Sequence, residues 1–327
     1  MLIRRESHIH RLVVLLWISA LALSGKAFGQ NFTTFNVPGG SGTNPYGINN
    51  SGTITGSYMG SDSQRHGFIR NSDGTFVSFD PPESRGETDP TSINSSGAIT
   101  GMYWAGVYVG FIRHANGHYS SFGPSPNSPN PNSFQPQSIN DAGEVTGFFS
   151  GETTLVHGFL RQTNGTIVQF DPPGSIRTLP YSINQQGVIV GTYYDSQTGH
   201  GFIRQPDGQI LTIDKCQSSL AYSINAHGTI AGYCWNGVGA GFLLDSKGDF
   251  TFLDPGLTPM KINNEGAATG PHGRGAFFRS PSGVVTTFGP EESQGCNSTY
   301  PTSINSAGVV VGQCTSGYGQ KAFVRTP

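Results

Sequence analysis

The sequence is poor in charged residues and in cysteine. Asp, Glu, Lys and Arg make up 12% of the 327 residues, about half their usual share, which argues against a coiled coil, a helical bundle and a charge-rich disordered chain. Four cysteines are too few for a disulfide-dense miniprotein, and no Cys-x-x-Cys pair suggests a zinc or redox motif. Glycine, by contrast, occurs 47 times, about twice its usual share. The composition therefore predicts a chain with many turns.

An excess of positive charge and long apolar segments are also lacking. The formal net charge of −2 does not favour a nucleic-acid partner. One apolar run, from Leu12 to about Ser24, follows Arg4, Arg5 and Arg11, and it is too short for a permanent membrane span. We predict a signal peptide over residues 1–29, no membrane span, and a mature domain over 30–327 that is secreted to the extracellular or periplasmic space.

One phrase, Ser-Ile-Asn-x-x-Gly-x-Ile-x-Gly, recurs with variations throughout the chain after the apolar run. Its Asn recurs about every 43 residues, at Asn49, Asn94, Asn140, Asn184, Asn225, Asn263 and Asn305. A second phrase, Gly-Phe-Ile-Arg or a near variant, follows each copy, with its aromatic residue at Phe68, Phe111, Phe159, Phe202, Phe242, Phe277 and Phe323. The two phrases give the same count of seven repeat units.

Each repeat unit contains four segments of strand character separated by turn signals. In the second unit these are TSIN (91–94), AITGMY (98–103), VGFIR (109–113) and HYSSF (118–122). Four strands in this period are typical of a β-propeller blade. We predict an all-β, seven-bladed β-propeller with four antiparallel strands per blade. A β-solenoid or two smaller β domains are the alternatives.

The two ends of the chain complement each other. The last repeat unit stops after KAFVRTP and lacks a fourth strand, whereas FTTFNVP (32–38) stands unpaired near the beginning and matches VSFDPP (77–82). We expect the N-terminal strand to complete the last blade, because this arrangement protects the sheet edges and fixes both ends of the chain.

The repeats resemble those of the HAF family of bacterial extracellular proteins. The resemblance rests on Asn-x-x-Gly-x-Ile-x-Gly followed by His-Gly-Phe-Ile-Arg (66–70 and 200–204) or Lys-Ala-Phe-Val-Arg (321–325), and it spans nearly the whole mature chain. In the second phrase Gly often replaces Ala, and Arg stands where Trp is common in that family. The resemblance implies an extracytoplasmic protein, and it supplies no catalytic residue.

The repeated polar residues are interpreted as structural. Asn and Gly suit tight turns, and Arg recurs on the third strand, whereas a catalytic site needs one asymmetric constellation. His114 and His118 flank a predicted Asn-Gly turn, a poor frame for zinc. We therefore predict no catalytic residue, no metal and no cofactor.

The four cysteines occupy equivalent positions in two repeat units. Cys216 and Cys234 lie nine residues on either side of one repeated Asn, and Cys296 and Cys314 lie nine on either side of another. Because secretion provides an oxidising route, we predict the disulfides Cys216–Cys234 and Cys296–Cys314.

Sequence diversity concentrates in the second-to-third loops and in the loops between blades, which lie on one face of a propeller. Trp104, Tyr194 and Trp235 are aromatic additions to the repeat on this face, Lys261 replaces a Ser that recurs elsewhere on the first strand, His272 replaces an aromatic residue, and Phe134 ends a Pro- and Asn-rich insert. Aromatic rings suit sugars and protein partners alike, so these residues are the ligand-binding candidates. The alternative is that these side chains fold onto the rim of the propeller and contact no ligand.

The function that these patterns predict is non-catalytic binding. We expect a monomeric propeller whose variable face binds a carbohydrate or an envelope protein. The alternative is a polysaccharide hydrolase or lyase that uses loop carboxylates, because the variable loops contain Glu83, Glu87, Asp89, Glu152, Glu291 and Glu292.

Overall fold

The computed structural model describes residues 31–123, 134–150, 155–289, 295–317 and 319–327. Every regular element in these ranges is a β-strand, so the all-β prediction is confirmed. The predicted signal peptide, residues 1–29, lies outside the described residues. No helix in the described ranges is long and apolar enough to cross a membrane.

Twenty-eight strands follow one another in the described ranges. The first nine are β1 (Phe32–Phe35), β2 (Ser41–Ile48), β3 (Ile54–Met59), β4 (Arg65–Arg70), β5 (Phe76–Phe79), β6 (Thr88–Ile93), β7 (Ile99–Trp104), β8 (Tyr108–Arg113) and β9 (Tyr119–Phe122). The next eight are β10 (Gln135–Ile139), β11 (Val145–Ser150), β12 (Val156–Arg161), β13 (Ile167–Phe170), β14 (Arg177–Ile183), β15 (Ile189–Tyr194), β16 (Gly199–Arg204) and β17 (Ile210–Ile213). The last eleven are β18 (Ser218–Ile224), β19 (Ile230–Trp235), β20 (Gly239–Leu244), β21 (Phe250–Phe252), β22 (Lys261–Ile262), β23 (Ala268–His272), β24 (Gly275–Arg279), β25 (Val285–Phe288), β26 (Ser298–Ile304), β27 (Val310–Ser316) and β28 (Gly319–Arg325).

The strands pair as antiparallel sets of four. Four sheets have the orders β2-β3-β4-β5, β6-β7-β8-β9, β18-β19-β20-β21 and β22-β23-β24-β25. An eight-stranded sheet holds β10 to β13 and β14 to β17, and the two halves are joined by a single parallel pair, Val156 with Arg177. The remaining sheet has the order β1-β28-β27-β26, in which Phe32 of the N-terminal strand lies opposite Arg325.

The repeated aromatic residue of the third strand forms the centre of each repeat unit. All seven of these phenylalanines are 0% exposed. In five repeat units the Arg two residues later stacks on a ring of the preceding set of strands; for example, Arg113 lies 5.3 Å from the Phe79 ring, and Arg204 lies 4.9 Å from the Phe170 ring. The recurring Arg therefore joins neighbouring repeat units by cation–π contacts.

The repeated Asn residues form a closed cycle of hydrogen bonds. Each Nδ2 donates to the backbone oxygen of the Asn in the next repeat unit at 2.8–3.3 Å, and Asn305 donates to the oxygen of Asn49. The Oδ1 atoms cap the turns, as where Asn225 accepts from the amide of Thr229. The turn that follows needs glycine, since Gly228 has φ +81°. One side chain thus shapes a turn and ties two repeat units together.

Both predicted disulfides are present. Cys216 is bonded to Cys234 and Cys296 to Cys314, with Cα–Cα separations of 5.6 and 5.4 Å. Each bond links the segment that enters a repeat unit to the end of its second strand. The equivalence of the cysteines by repeat position therefore predicted the correct pairing.

Candidate functional site

A cavity of 540 Å³ is lined mainly by residues of the first strands of the repeat units. Seven of the lining residues occupy one repeat position, three residues before the repeated Asn: Tyr46, Thr91, Gln137, Tyr181, Tyr222, Met260 and Thr302. The volume falls in the usual range for small-molecule sites.

A β-bulge explains why this position faces the cavity. In six repeat units the pairing register of the first strand shifts across it, as between Pro90 and Ser92. The bulged residue is left out of the ladder, and Pro, which lacks an N–H, precedes it in five of these strands. The second strand passes so close that a Cβ on Gly101 would collide with the Asp89 carbonyl oxygen. Bulge and glycine together turn Thr91 and its counterparts inward.

The recurring Ser beside the bulge serves the fold. Its hydroxyl accepts a hydrogen bond from the backbone amide of an Ile in the next repeat unit, at 3.3–3.5 Å, in the five units that have Ser: Ser92, Ser138, Ser182, Ser223 and Ser303. Gly47 and Lys261 replace this Ser and supply no hydroxyl. Lys261 instead lines the cavity, and burial lowers the pKa of its ammonium group.

An ion-pair cluster forms one side of the cavity. Arg65 Nη1 lies 2.9 Å from Asp89 Oδ2 and 3.1 Å from Glu87 Oε1, and the Tyr108 hydroxyl donates to Glu87 Oε2 at 2.7 Å. Burial raises the pKa of Asp89, and the Arg65 guanidinium partly offsets this effect. Asp89 Oδ1 and the Ser57 hydroxyl are buried without a well-aligned hydrogen bond among the described residues, and the Ser57 hydroxyl is near enough to Asp89 to lower the pKa of its carboxyl. Because both atoms are buried, neither is open to the cavity.

Aromatic rings form the opposite side. The rings of Tyr181 and Tyr222 have centroids 6.2 Å apart, and the Tyr300 hydroxyl lies 2.7 Å from the Met260 sulfur. Burial raises the pKa of Tyr181 to about 12 and raises the pKa values of Tyr222 and Tyr300 as well. These phenols are neutral near pH 7, so they present flat apolar faces with hydroxyl groups at their edges.

Among the six ligand-binding candidates from the sequence, Lys261 alone lines the cavity. Tyr194 is half-buried, with the Arg177 guanidinium 5.6 Å from its ring centre. Trp104 is also half-buried, 5.0 Å from the Tyr108 ring, and its amide donates to the Glu87 oxygen. Tyr194 and Trp104 thus support residues near the cavity without lining it.

The other three candidates lie elsewhere. Trp235 is 45% exposed and His272 is exposed, both outside the cavity lining. The choice of Phe134 as a ligand contact requires correction, because this side chain is 1% exposed and its ring stacks on Phe159 at 4.9 Å. A large apolar side chain after a polar insert re-enters the core, where it gains more from burial than from exposure.

The predicted loop carboxylates are only partly described. Glu152, Glu291 and Glu292 lie outside the described residues. Glu83 accepts a hydrogen bond from the Tyr103 hydroxyl at 3.1 Å, and Glu87 is held by Arg65 and Tyr108. Within the described ranges, no group of three or more His, Cys, Asp or Glu residues is placed to hold a metal ion.

The bulge residues were missed as candidates, although the sequence contains a signal for them. In Pro-x-Ser-Ile-Asn and its variants, x is Tyr, Thr, Gln, Tyr, Tyr, Met and Thr while its neighbours stay nearly fixed. A varied residue between fixed structural ones indicates a position that the fold leaves free.

Similar solved structures share the fold at low sequence identity. The chain is similar to virginiamycin B lyase from Staphylococcus aureus (12% identity, TM-score 0.62, covering 91% of this chain and 99% of that one). It is also similar to oligogalacturonate lyase from Vibrio parahaemolyticus (9%, TM-score 0.61, 91% and 97%). A third is the β-propeller domain of the Trilobed protease from Pyrococcus furiosus (12%, TM-score 0.57, 86% and 95%). No family model and no curated protein sequence matches the chain. The fold is that of β-propeller proteins.

Proposed function

We propose that residues 30–327 form a single secreted propeller of seven blades, the last completed by the N-terminal strand. The return of the Asn cycle from Asn305 to Asn49 and the pairing of β1 with β28 support this closure. The two disulfides support an oxidising compartment. The repeated phrases support a relation to the HAF repeats. We also propose that residues 1–29 are a signal peptide that is removed on secretion.

We infer that the protein binds a small polar ligand, without chemical conversion, in the cavity at the centre of the repeats. The observation that carries this function is that one structurally free repeat position supplies seven of the lining residues. Three of these are tyrosines, and amide and hydroxyl groups accompany them, for example Gln137 and Thr302. Flat rings with nearby hydrogen-bonding groups suit the faces and hydroxyls of sugars. A carbohydrate is therefore favoured over an envelope protein, and a monomer suffices because one chain supplies the whole lining.

Calorimetric titration with soluble oligosaccharides tests this function. We expect saturable binding that Tyr222→Ala weakens by about tenfold or more, because it removes a stacking surface worth about 1–2 kcal/mol. Trp235→Ala, which truncates an exposed ring outside the cavity lining, is the matched control and should bind like the parent protein. If only the Trp235 variant loses affinity, the binding site lies on the variable face and not in the cavity. Far-ultraviolet circular dichroism checks that both variants fold.

A polysaccharide hydrolase or lyase is the second candidate, supported by the lyases among the similar structures. The contacts of Glu87 weigh against it, since its two carboxylate oxygens are already engaged by Arg65 and by the Tyr108 hydroxyl. Product formation in the same titrations decides between the two functions. An enzyme releases new chain ends and loses turnover in Glu87→Gln, whereas a binding protein releases none.

A further inference from the structure

Lys261 is a cation in the cavity lining. No ion pair joins it to any residue in the described part of the chain. It occupies the repeat position where five other units carry Ser, so the fold itself does not require a cation there. Taking an unpaired ammonium out of water is unfavourable, and an anion supplied from outside would reverse that cost.

The other cation in the cavity lining, Arg65, has no positive charge to spare. It is balanced by two carboxylates, Asp89 and Glu87. Asp89 Oδ1 is buried beside the Ser57 hydroxyl, so this oxygen does not face a ligand. Lys261 is therefore the group in the described lining that can meet an anion.

Lys261 lies across the cavity from the carboxylates. Along the Asn cycle, the repeat unit of Lys261 is three steps from that of Asp89 in one direction and four in the other. Tyr222 and Tyr300 belong to the repeat units on either side of that of Lys261. The lining therefore places a cation beside flat rings and away from the carboxylates.

We propose that the cavity binds a monoanionic sugar, with its carboxylate or sulfate ester on Lys261 and its ring against the neighbouring tyrosines. This inference rests on the proposed function and adds the charge of the ligand to it. A single free cation matches one negative charge, and a neutral sugar would leave Lys261 unpaired. A uronate and a sulfate ester present the same charge, so the probes must separate them.

Calorimetry at neutral pH with three sets of disaccharides tests the proposal. The first set carries one uronate per molecule, and the second consists of the methyl esters of those uronates. The third set consists of otherwise uncharged disaccharides that carry one sulfate ester. We expect a uronate or a sulfated sugar to bind at least about tenfold more tightly than the methyl ester, and added salt to reduce the difference. Preference for one anion over the other identifies the source of the charge.

Lys261→Ser is the decisive variant. Five other repeat units have Ser at the equivalent position, so this variant should fold. Its Ser can accept from the amide of Ile304, as the other serines do from their Ile partners. We expect the anion to bind this variant no better than its methyl ester. Lys247→Ser removes an equal charge from an exposed turn and should keep the preference. Equal binding of ester and anion to the parent protein, or a preference that survives Lys261→Ser, overturns the proposal while leaving a neutral-sugar site intact. Failure of all three sets to bind overturns the proposed function too.

Discussion

Replacement of Asn225 by Ala tests the hydrogen-bond cycle that joins the repeat units. The side chain is 4% exposed and makes three hydrogen bonds: Oδ1 accepts from the amides of His227 (3.0 Å) and Thr229 (2.9 Å), and Nδ2 donates to the Asn263 oxygen (3.0 Å). Each such bond contributes about 1 kcal/mol, and a buried group left unpaired costs about 1–3 kcal/mol. We expect Asn225→Ala to lower the free energy of unfolding by about 4 kcal/mol.

Urea unfolding with the disulfides intact measures this change, and an unchanged denaturant slope shows that the folded state keeps its size. Asn164→Ala is the matched control, since Asn164 caps an exposed turn with one hydrogen bond, to the Thr166 amide at 2.9 Å. It should cost about 1 kcal/mol or less. If the Asn225 variant loses no more stability than the Asn164 variant, the cycle does not hold the repeat units together and the reasoning is wrong.

Three further outcomes are expected. Replacing Cys216 and Cys234 by Ser should lower the unfolding free energy by about 3 kcal/mol, because the loss of the disulfide increases the chain entropy of the unfolded state. Urea titration measures this change, and equal stability of the variant and the parent protein would refute the prediction. Phe134→Ala should cost about 3–5 kcal/mol because it empties a stacked core position, whereas Trp235→Ala should change the melting temperature little; similar losses would contradict the burial assigned to them. Because burial places the pKa of Lys261 below its usual 10.5, the anionic-sugar preference should disappear as the pH rises through that lowered pKa, and calorimetry between neutral pH and about 10 would show this. A preference that stays constant over that range would argue against an ammonium contact.

Local signals made the strands and the disulfides predictable. Turn residues at fixed offsets divide each repeat unit into four segments, and the period places Cys216 and Cys234 at positions equivalent to Cys296 and Cys314. The Asn was also recognised as a turn residue. Its second role, donation to the next repeat unit, was not predictable because it depends on how separate sheets sit against each other.

The cavity was only partly predictable for a similar reason. The direction of a side chain on a β-strand reverses with each residue, so one bulge changes which residues face inward. Counting from the repeat identified Lys261, yet the Ser that recurs at its position, as at Ser92, bonds to the next repeat unit. Thr91, one residue earlier, occupies the lining position. Phe134 shows the opposite error, since the polar insert before it concealed a core contact.

The bulge on the first strand separates what the scaffold needs from what the ligand sees. Pairing on either side of Tyr181 continues through Pro180 and Ser182, so a different side chain at Tyr181 leaves the ladder intact. The same holds at the five equivalent bulges. Point mutations in six codons can therefore change the lining of the cavity while the pairing of the strands is kept.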